Sequence, residues 1–483
     1  MTQHHTPQSR CRFGLARCDI TPTVGMYHRM WGAAAHDRST GVHRPLCASV
    51  MVFRPLDEDR QQVLVALDHC LFFQPEIRSM KEAICSDLEV QPDELQLLFS
   101  HTHGAGLMDP AREDMPGGDL IKPYLDSIAA KIHDATHQAL ASIQPVTISY
   151  GTGRCSLAAH RDFWDEKNEL FACGFNPREE ADDTVMVARV NNADDGLVAT
   201  IVNYACHPTT LAWDNTLVSP DYVGALVELV ERETGATCIF VQGASGDLGP
   251  RDGFVGDVAV ADRNGRQLAH AALSSLEGLP APNTVYEYQG PVISGATIGE
   301  WKHRPLDDDR SGELAMWQLQ RTTVQLPYLD DLPSRKDIAD QFDHWQREEQ
   351  SASEAGDEQK AADARAMVER MRRWKTRTSA LPDSEKFPYP LTIWRMGDAI
   401  WVAVDGEPYN LLQRRLRERF PGVPIMVMVL ADGSKAWYLP TAETYGKGIY
   451  QESMAILKQG SLETMIDAAG NVIEELISSG TRT

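Results

Sequence analysis

The chain has 483 residues, of which 46 are Lys or Arg and 69 are Asp or Glu, so its formal net charge is −23. Hydrophobic residues make up 42% of the chain and aromatic residues 7%, which excludes a disordered or collagen-like protein. The negative charge also argues against a nucleic-acid partner, because proteins bind phosphate backbones through clustered Lys and Arg. Residues 151–300 alone hold 9 basic and 22 acidic residues.

Cysteine usage and the N-terminal sequence favour a cytoplasmic protein. The nine Cys are irregularly spaced and form no CxxC motif, which favours a reducing compartment over a disulfide framework or a thiolate zinc site. The N-terminal segment lacks the apolar stretch of a signal peptide, and no run of about 18 apolar residues occurs. We therefore expect a cytoplasmic location and no transmembrane segment, while the oligomeric state stays open.

Strand-like and helix-like patterns alternate along the chain. Apolar runs bounded by turn residues predict strands at 46–54, 62–68, 94–100, 146–150, 185–190, 197–204, 237–242, 391–396, 399–404 and 425–430. Helical periodicity predicts helices at 75–86, 120–142, 221–234, 259–276, 410–419 and 462–478. This alternation predicts an α/β fold, with a mixed β-sheet core layered with helices. We expect residues 1–483 to form a single large domain.

Residues 334–376 differ from the rest of the chain. They contain no Pro and no strand-like run, and Ala, Glu, Gln, Lys and Arg dominate. We expect a long helical insertion within the domain, either one helix or a helical pair turning near Gly356. The simplest interpretation is a solvated helical excursion with one apolar face. A partner-binding arm or a cover over an active site is the alternative.

Side chains able to bind a metal follow four predicted strands or turns. Imidazoles and carboxylates are common metal ligands, and sites in α/β proteins form where strands end. Taken singly, each could be a loop histidine, a structural histidine or a packed tyrosine. Together they suit a mononuclear zinc site with an open position. These residues are His101, His103, His207 and Glu407, together with three closely spaced tyrosines, Tyr438, Tyr445 and Tyr450.

A Gly-rich turn follows the predicted strand 237–242 and carries one carboxylate, Asp247. The turn is not a Walker A loop, because no Lys-Ser/Thr pair follows it. Ser245 lies in Ala-Ser-Gly-Asp, which lacks the G-x-S-x-G frame of an elbow nucleophile. We expect Asp247 to shape this loop or to orient a ligand rather than to bind a metal.

The order of the motifs resembles one known family, the neutral/alkaline non-lysosomal ceramidases. The similarity is to their N-terminal catalytic domain and extends to about Tyr450. Only 33 residues follow Tyr450, so the resemblance indicates a short member without the immunoglobulin-like C-terminal domain. The matching segments are Phe13-Gly-Leu-Ala-Arg-Cys-Asp-Ile-Thr-Pro22, Ser100-His-Thr-His-Gly, Ala205-Cys-His-Pro-Thr, Ser245-Gly-Asp-Leu-Gly-Pro, Asp405-Gly-Glu-Pro and Tyr438-Leu-Pro-Thr with Glu443-Thr-Tyr and Tyr450.

The resemblance implies roles for individual residues. Zinc would be held by His101, His207, Glu407 and Tyr438. His103 and Tyr450 would flank the scissile amide. Arg161 is the nearest match to an arginine that faces the substrate carbonyl, although His160 stands where the family has Asn. Gly104 and Gly249 replace two serines of the family motifs.

The resemblance thus implies a zinc-dependent hydrolase that cleaves a linear amide by metal-activated water. Its substrate would be a small-molecule or lipid-like N-acyl compound. Two alternatives remain: a zinc esterase or deacylase on a small soluble or sugar-linked substrate, and a non-catalytic binding protein that retains the fold. The acidic charge favours neutral or cationic substrates over an anionic membrane surface.

Overall fold

The computed structural model describes residues 2–479. The strands are β1 (Gln3–His4), β2 (Gln8–Asp19), β3 (Gly41–Val42), β4 (Cys47–Arg54), β5 (Gln62–Leu67), β6 (Leu95–Phe99), β7 (Gln144–Arg154), β8 (Ala158–His160), β9 (Asp162–Asp165), β10 (Leu170–Cys173), β11 (Thr184–Asn192), β12 (Leu197–Tyr204), β13 (Leu217–Val218), β14 (Thr237–Gln242), β15 (Leu248–Pro250), β16 (Thr284–Ile293), β17 (Thr297–Pro305), β18 (Trp317–Pro327), β19 (Lys386–Met396), β20 (Ala399–Val404), β21 (Glu407–Pro408), β22 (Ile425–Met428) and β23 (Tyr438–Leu439).

The helices separate these strands much as the sequence predicts. They are α1 (Gln74–Cys85), α2 (Ile121–Ala141), α3 (Tyr222–Thr234), α4 (Val258–Glu277), α5 (Asp308–Leu314), α6 (Arg335–Glu354), α7 (Glu358–Ser379), α8 (Leu411–Arg419), α9 (Tyr450–Met454) and α10 (Ser461–Ser479). No helix within residues 2–479 is long and apolar enough to cross a bilayer.

Two sheets form the centre of the fold. The larger has eight strands in the order β14-β12-β11-β7-β2-β4-β5-β6, and the smaller has four in the order β18-β19-β20-β22. Most neighbours are antiparallel, whereas the edge pairs β12–β14, β5–β6 and β20–β22 are parallel. The predicted mixed sheet is therefore confirmed.

The two sheets face each other across an apolar layer. Trp401 packs its ring against Phe53 and against Trp394, each with 5.6 Å between ring centroids. This layer excludes water from both inner faces, and burial of aromatic rings is a major stabilising contribution. Helices α1 to α4 cover the outer face of the larger sheet, and α8 and α10 cover that of the smaller. The result is a helix–sheet–sheet–helix arrangement, which confirms the α/β class.

The segment predicted as a helical insertion is a pair of helices, α6 and α7, between the neighbouring strands β18 and β19. Ser334 begins α6 with a capping box that includes Asp337, so both orphaned N–H groups are satisfied. The helices turn at Gly356, whose φ of +72° suits glycine. The pair runs to Ser379, three residues beyond the predicted limit of 334–376. That the whole chain is one domain stays a prediction.

Candidate metal centre

The segment after β6 turns both histidines of the His-Thr-His motif to one side. His101 adopts a left-handed backbone conformation with φ of +70°, and its N–H donates to the carbonyl of His69 at 2.9 Å. Thr102 donates its hydroxyl to the Ser219 carbonyl at 2.8 Å, which fixes the turn. The ring centroids of His101 and His103 are therefore only 5.1 Å apart. Strain of this kind at a bulky residue is typical of functional sites.

His207 follows the buried strand β12. Its backbone N–H donates to the carbonyl of Leu248 at 3.2 Å, and its Nδ1 donates to the carbonyl of Ser245 at 2.7 Å. The loop after β14 thus fixes both the position and the tautomer of this imidazole. Burial lowers the pKa of His207 to about 3, so the ring is neutral at physiological pH.

A short parallel ladder places Glu407 beside Tyr438. Strands β21 and β23 pair in the register Glu407 to Tyr438, and the Glu407 N–H donates to the Trp437 carbonyl at 2.7 Å. Gly406 and Trp437 enter the ladder with φ of +75° and +60°. Side chains in register on neighbouring strands share a face, so the carboxylate and the phenol point in the same direction.

These segments bring together the four residues predicted as metal ligands. The Nε2 atoms of His101 and His207 are 3.1 Å apart, and each is 3.2 Å from Oε2 of Glu407. The Tyr438 hydroxyl lies 3.4 Å from Nε2 of His207. None of the four side chains is more than 6% exposed. Ligands of a tetrahedral zinc ion are about 3.3 Å apart, given Zn–N and Zn–O distances of about 2.0–2.1 Å.

Hydrogen bonding shows that these residues fit a cation. Nδ1 of His101 lies 2.8 Å from the Cys70 carbonyl, just as Nδ1 of His207 faces Ser245. Because a carbonyl only accepts, both Nδ1 atoms carry hydrogen, and both Nε2 atoms face the Glu407 carboxylate. The two nitrogens and the carboxylate oxygen lie 3.1–3.2 Å from one another. Although burial opposes it, the charges of Cys70 and Glu407 raise the pKa of His101 well above its usual range, so the cluster favours a positive charge, which a metal ion between the three atoms would supply.

His103 lies next to this cluster but outside the ligand triangle. Neither of its ring nitrogens has a hydrogen-bond partner within residues 2–479, and its ring packs 5.1 Å from that of Trp31. Burial, together with the positive charges of nearby groups that include Arg373, lowers its pKa well below the usual range. The ring is therefore neutral at physiological pH.

Arg161 is buried behind Tyr438. Its Nη2 donates to the Tyr438 hydroxyl at 3.1 Å and to the Gly246 carbonyl at 2.6 Å, and its guanidinium lies 5.5 Å from the Tyr438 ring centre. The positive charge therefore stabilises negative charge at the Tyr438 oxygen.

Tyr450 begins α9 at the rim of the site. Its side chain is 43% exposed, and its ring centre is 5.9 Å from that of Tyr438. A substrate that enters the site from solvent could therefore contact the Tyr450 hydroxyl. Among the residues predicted for the site, Tyr450 and His103 are the two that are not fully buried.

One buried group at the site has no signal in the sequence. The carboxylate of Asp162 accepts from the Tyr409 hydroxyl at 2.9 Å and from Nε2 of Gln451 at 2.7 Å. It thus ties α9, which carries Tyr450, to the segment after Glu407. Its position directly after Arg161 is the only hint that the sequence offers. Asp247 accepts from the N–H of Asn410 at 2.7 Å, as expected for a loop-shaping residue.

Comparisons with known proteins give the family. The family described as Neutral/alkaline non-lysosomal ceramidase, N-terminal, matches residues 12–259. A search of curated protein sequences found no match. A neutral ceramidase from Pseudomonas aeruginosa superposes with a TM-score of 0.61 at 15% identity, over 98% of this chain and 75% of that one. A ceramidase complexed with C2 gives 0.63 at 16% identity, over 98% and 76%. These structures share the fold, and by the family match the chain belongs to the neutral/alkaline non-lysosomal ceramidase family.

Proposed function

We propose that the protein is a zinc-dependent hydrolase that cleaves the linear amide of a small-molecule or lipid-like N-acyl substrate. Family membership supports amide hydrolysis. The observation that carries the metal is the triangle formed by Nε2 of His101, Nε2 of His207 and Oε2 of Glu407. Two nitrogens, a carboxylate and a phenol form a set of ligands that zinc can bind.

Zinc bound by His101, His207, Glu407 and Tyr438 would supply Lewis acidity, activating a water and polarising the substrate carbonyl. We assign the proton transfers to His103, whose unpartnered neutral ring can accept a proton from the attacking water and return it to the leaving amine. Tyr450 would donate its hydroxyl to the carbonyl oxygen as negative charge develops there. Arg161 would stabilise the same charge from behind Tyr438.

Free thiols support the proposed cytoplasmic location. All nine Cys lie in the described part of the chain, and none is in a disulfide. Burial raises the pKa of Cys11 and of Cys238 to about 12, so these thiols are protonated and poorly reactive. Such buried, unpaired cysteines are typical of proteins kept in a reducing compartment.

Metal analysis combined with hydrolysis tests the proposed function. We expect about one zinc per chain in the purified protein, and hydrolysis of N-acyl substrates that a chelator abolishes. His101→Ala should lose both metal and activity, whereas His270→Ala, which changes an exposed histidine on α4, should keep both. A panel of matched N-acyl and O-acyl compounds separates an amidase from an esterase. Full activity without metal, or in His101→Ala, would overturn the proposal.

A further inference from the structure

Helix α7 carries a surplus of positive charge in an acidic protein. Its 22 residues include seven Lys or Arg and three Asp or Glu, whereas the whole chain has a net charge of −23. Three of its arginines follow a helical spacing of three and four residues: Arg370, Arg373 and Arg377. Residues at this spacing lie on one face of a helix, so the three guanidinium groups form a stripe.

The arginine stripe, defined as Arg370, Arg373 and Arg377, faces the surroundings of the metal centre. Arg370 donates to the hydroxyl of Ser453 at 3.1 Å, on the helix that Tyr450 begins. Arg373 donates to the carbonyl of Met30, the residue before Trp31, whose ring packs on His103.

The last arginine of the stripe and Trp374, on the same helix, both contact the ring of Trp437. The Arg377 guanidinium lies 4.9 Å from the centre of the Trp437 ring, and Trp374 packs on the same ring at 4.3 Å. Trp437 directly precedes Tyr438, and its carbonyl accepts the N–H of Glu407. Helix α7 therefore contacts the segments that carry two predicted site residues, Tyr438 and Tyr450.

No carboxylate pairs with the arginine stripe. Within residues 2–479, none of the ion pairs of 4.0 Å or less involves Arg370, Arg373 or Arg377. The nearby acidic groups form their ion pairs with other arginines: Glu369 pairs with the buried Arg112 at 2.9 Å, and Asp37 pairs with Arg365. Arg373 interacts with Glu369 only at longer range, where its charge helps Arg112 to lower the pKa of that carboxyl against the effect of burial.

The stripe also retains unused hydrogen-bond donors. An arginine has five N–H donors, and Arg373 uses one of its terminal nitrogens on Met30. The Nε atoms of Arg373 and Arg377 are buried without a partner in the part of the chain that the structure describes. Buried donors without acceptors are costly, so an anionic ligand at this face would relieve that cost.

We propose that the arginine stripe of α7 is a subsite for a carboxylate on the substrate, close to the scissile amide. The proposal rests on the proposed amide hydrolysis and names its substrate class: an anionic N-acyl compound rather than a neutral one. The planar guanidinium fork matches a carboxylate in two parallel hydrogen bonds, which gives both affinity and orientation. The carboxylate could belong to the amine part, as in an N-acyl amino acid, or to the acyl part, as in the monoamide of a dicarboxylic acid.

Paired substrates test the subsite and show whether the bound carboxylate belongs to the amine part or to the acyl part of the substrate. One pair compares an N-acylglycine with the N-acylethanolamine of the same chain, and the other compares a glutaryl monoamide with the equally long butyryl amide. We expect kcat/KM to favour the anionic member of one pair by about tenfold or more, with a preference that falls as salt is added. Arg373→Gln should abolish this preference, mainly by raising KM for the anionic substrate. Arg370→Gln should reduce it in the same direction.

Arg347→Gln is the matched control, because Arg347 is an exposed arginine of the same helical pair, on α6. It should retain the full preference. A wild-type enzyme that hydrolyses neutral members as well as anionic ones would overturn the proposal. So would a preference that survives in both stripe variants, or equal losses on both members, which would indicate a structural role.

Calorimetric binding separates this inference from the proposed function. If the wild-type protein hydrolyses none of the four compounds, the proposed function fails. Tighter binding of the anionic member, lost in Arg373→Gln, would still support the subsite. Equal binding of the charged and neutral members would overturn the subsite whether or not hydrolysis occurs.

Discussion

Three aspartates around the candidate metal centre are buried and accept backbone N–H groups. Asp221 accepts from Leu211, Asp247 from Asn410, and Asp405 from Ala436. Burial raises the pKa of each carboxyl to about 6, because the charged form is poorly solvated there. These carboxylates hold the loops of the site. Near neutral pH, however, their burial in the charged form lowers the free energy of unfolding.

The variant Asp247→Asn should differ from the wild type in how its free energy of unfolding depends on pH. The pKa of Asp247 is about 6 in the folded protein and 3.8 unfolded, so the folded state binds more protons between these values. Its contribution to stability is present below about pH 4 and is lost as pH rises through 6, by about 3 kcal/mol in total. Relative to the wild type, Asp247→Asn should thus gain stability between pH 4.5 and 7.5 in urea unfolding.

The control for this prediction is Asp194→Asn, which changes an exposed aspartate. Its free energy of unfolding should follow the wild type at both pH values. A constant difference between Asp247→Asn and the wild type would show that the carboxyl of Asp247 titrates normally.

The candidate ligands leave a local pattern in the sequence, whereas the groups that hold them leave none. His101, His207 and Glu407 each follow an apolar run, and a side chain at a strand end is visible as a local pattern. Asp162 has no such pattern, because Tyr409 and Gln451, its partners, are 247 and 289 residues away in the chain. Likewise, the family resemblance implies that Arg161 faces the substrate carbonyl, but its contact with Tyr438 emerges only from the fold.

At the scale of elements, the ladder of β21 and β23 depends on a close approach by the loop after β14. A Cβ added at Gly246 would lie 2.5 Å from the carbonyl oxygen of Glu407 and 2.9 Å from the carbonyl carbon of Pro408. These are backbone atoms, which cannot move without displacing the Glu407 strand. Glycine is therefore required here by space rather than by backbone conformation.

Gly246→Ala should move Glu407 and impair the site. We expect a loss of about 1–3 kcal/mol in the free energy of unfolding, and a loss of about 100-fold in activity, because a displacement of about 1 Å is costly to catalysis. Gly249→Ala is the matched control, since its Cβ would meet only side-chain atoms at 3.7 and 3.8 Å. It should unfold and react like the wild type. Equal behaviour of the two variants would contradict the proposed fit around Glu407.

Elements with a continuous apolar run could be predicted, and those interrupted by charge could not. The sequence predicts β12, β14 and β20 with the bounds that the structure has. It does not predict β2, a central strand of the larger sheet, because arginines interrupt its apolar pattern. The structure shows how these charges are accommodated: Arg12 donates to the Pro55 carbonyl at 2.9 Å, and Arg17 to Ser49 and Glu231.

At the scale of the whole molecule, the predicted ligands join distant parts of the chain. A metal that binds only the folded state stabilises it by mass action, by about 3 kcal/mol when its concentration is 100 times the dissociation constant. A chelator should therefore lower the thermal unfolding midpoint by a few degrees, and added zinc should restore it. Glu407→Gln should show neither shift. If the chelator left the thermal unfolding midpoint of the wild type unchanged, this would contradict a bound metal.

The distribution of charge also changes the expected substrate. From the net charge of −23 the sequence favours neutral or cationic substrates, yet the arginine stripe contacts segments that flank the candidate metal centre. Long-range fields influence the encounter of molecules, whereas short contacts decide which group is bound. The net charge of the whole chain is therefore a poor guide to the charge of the groups that the site binds.

The predicted ligands belong to two different sheets, and this has a consequence for how the activity is acquired. His101 and His207 follow strands of the larger sheet, whereas Glu407 follows β20 of the smaller sheet. The residues matched to the family, 12–259, include only the first pair. The candidate centre is thus complete only when the two sheets have packed together, so we expect metal binding to require the folded chain and to be absent from either half alone.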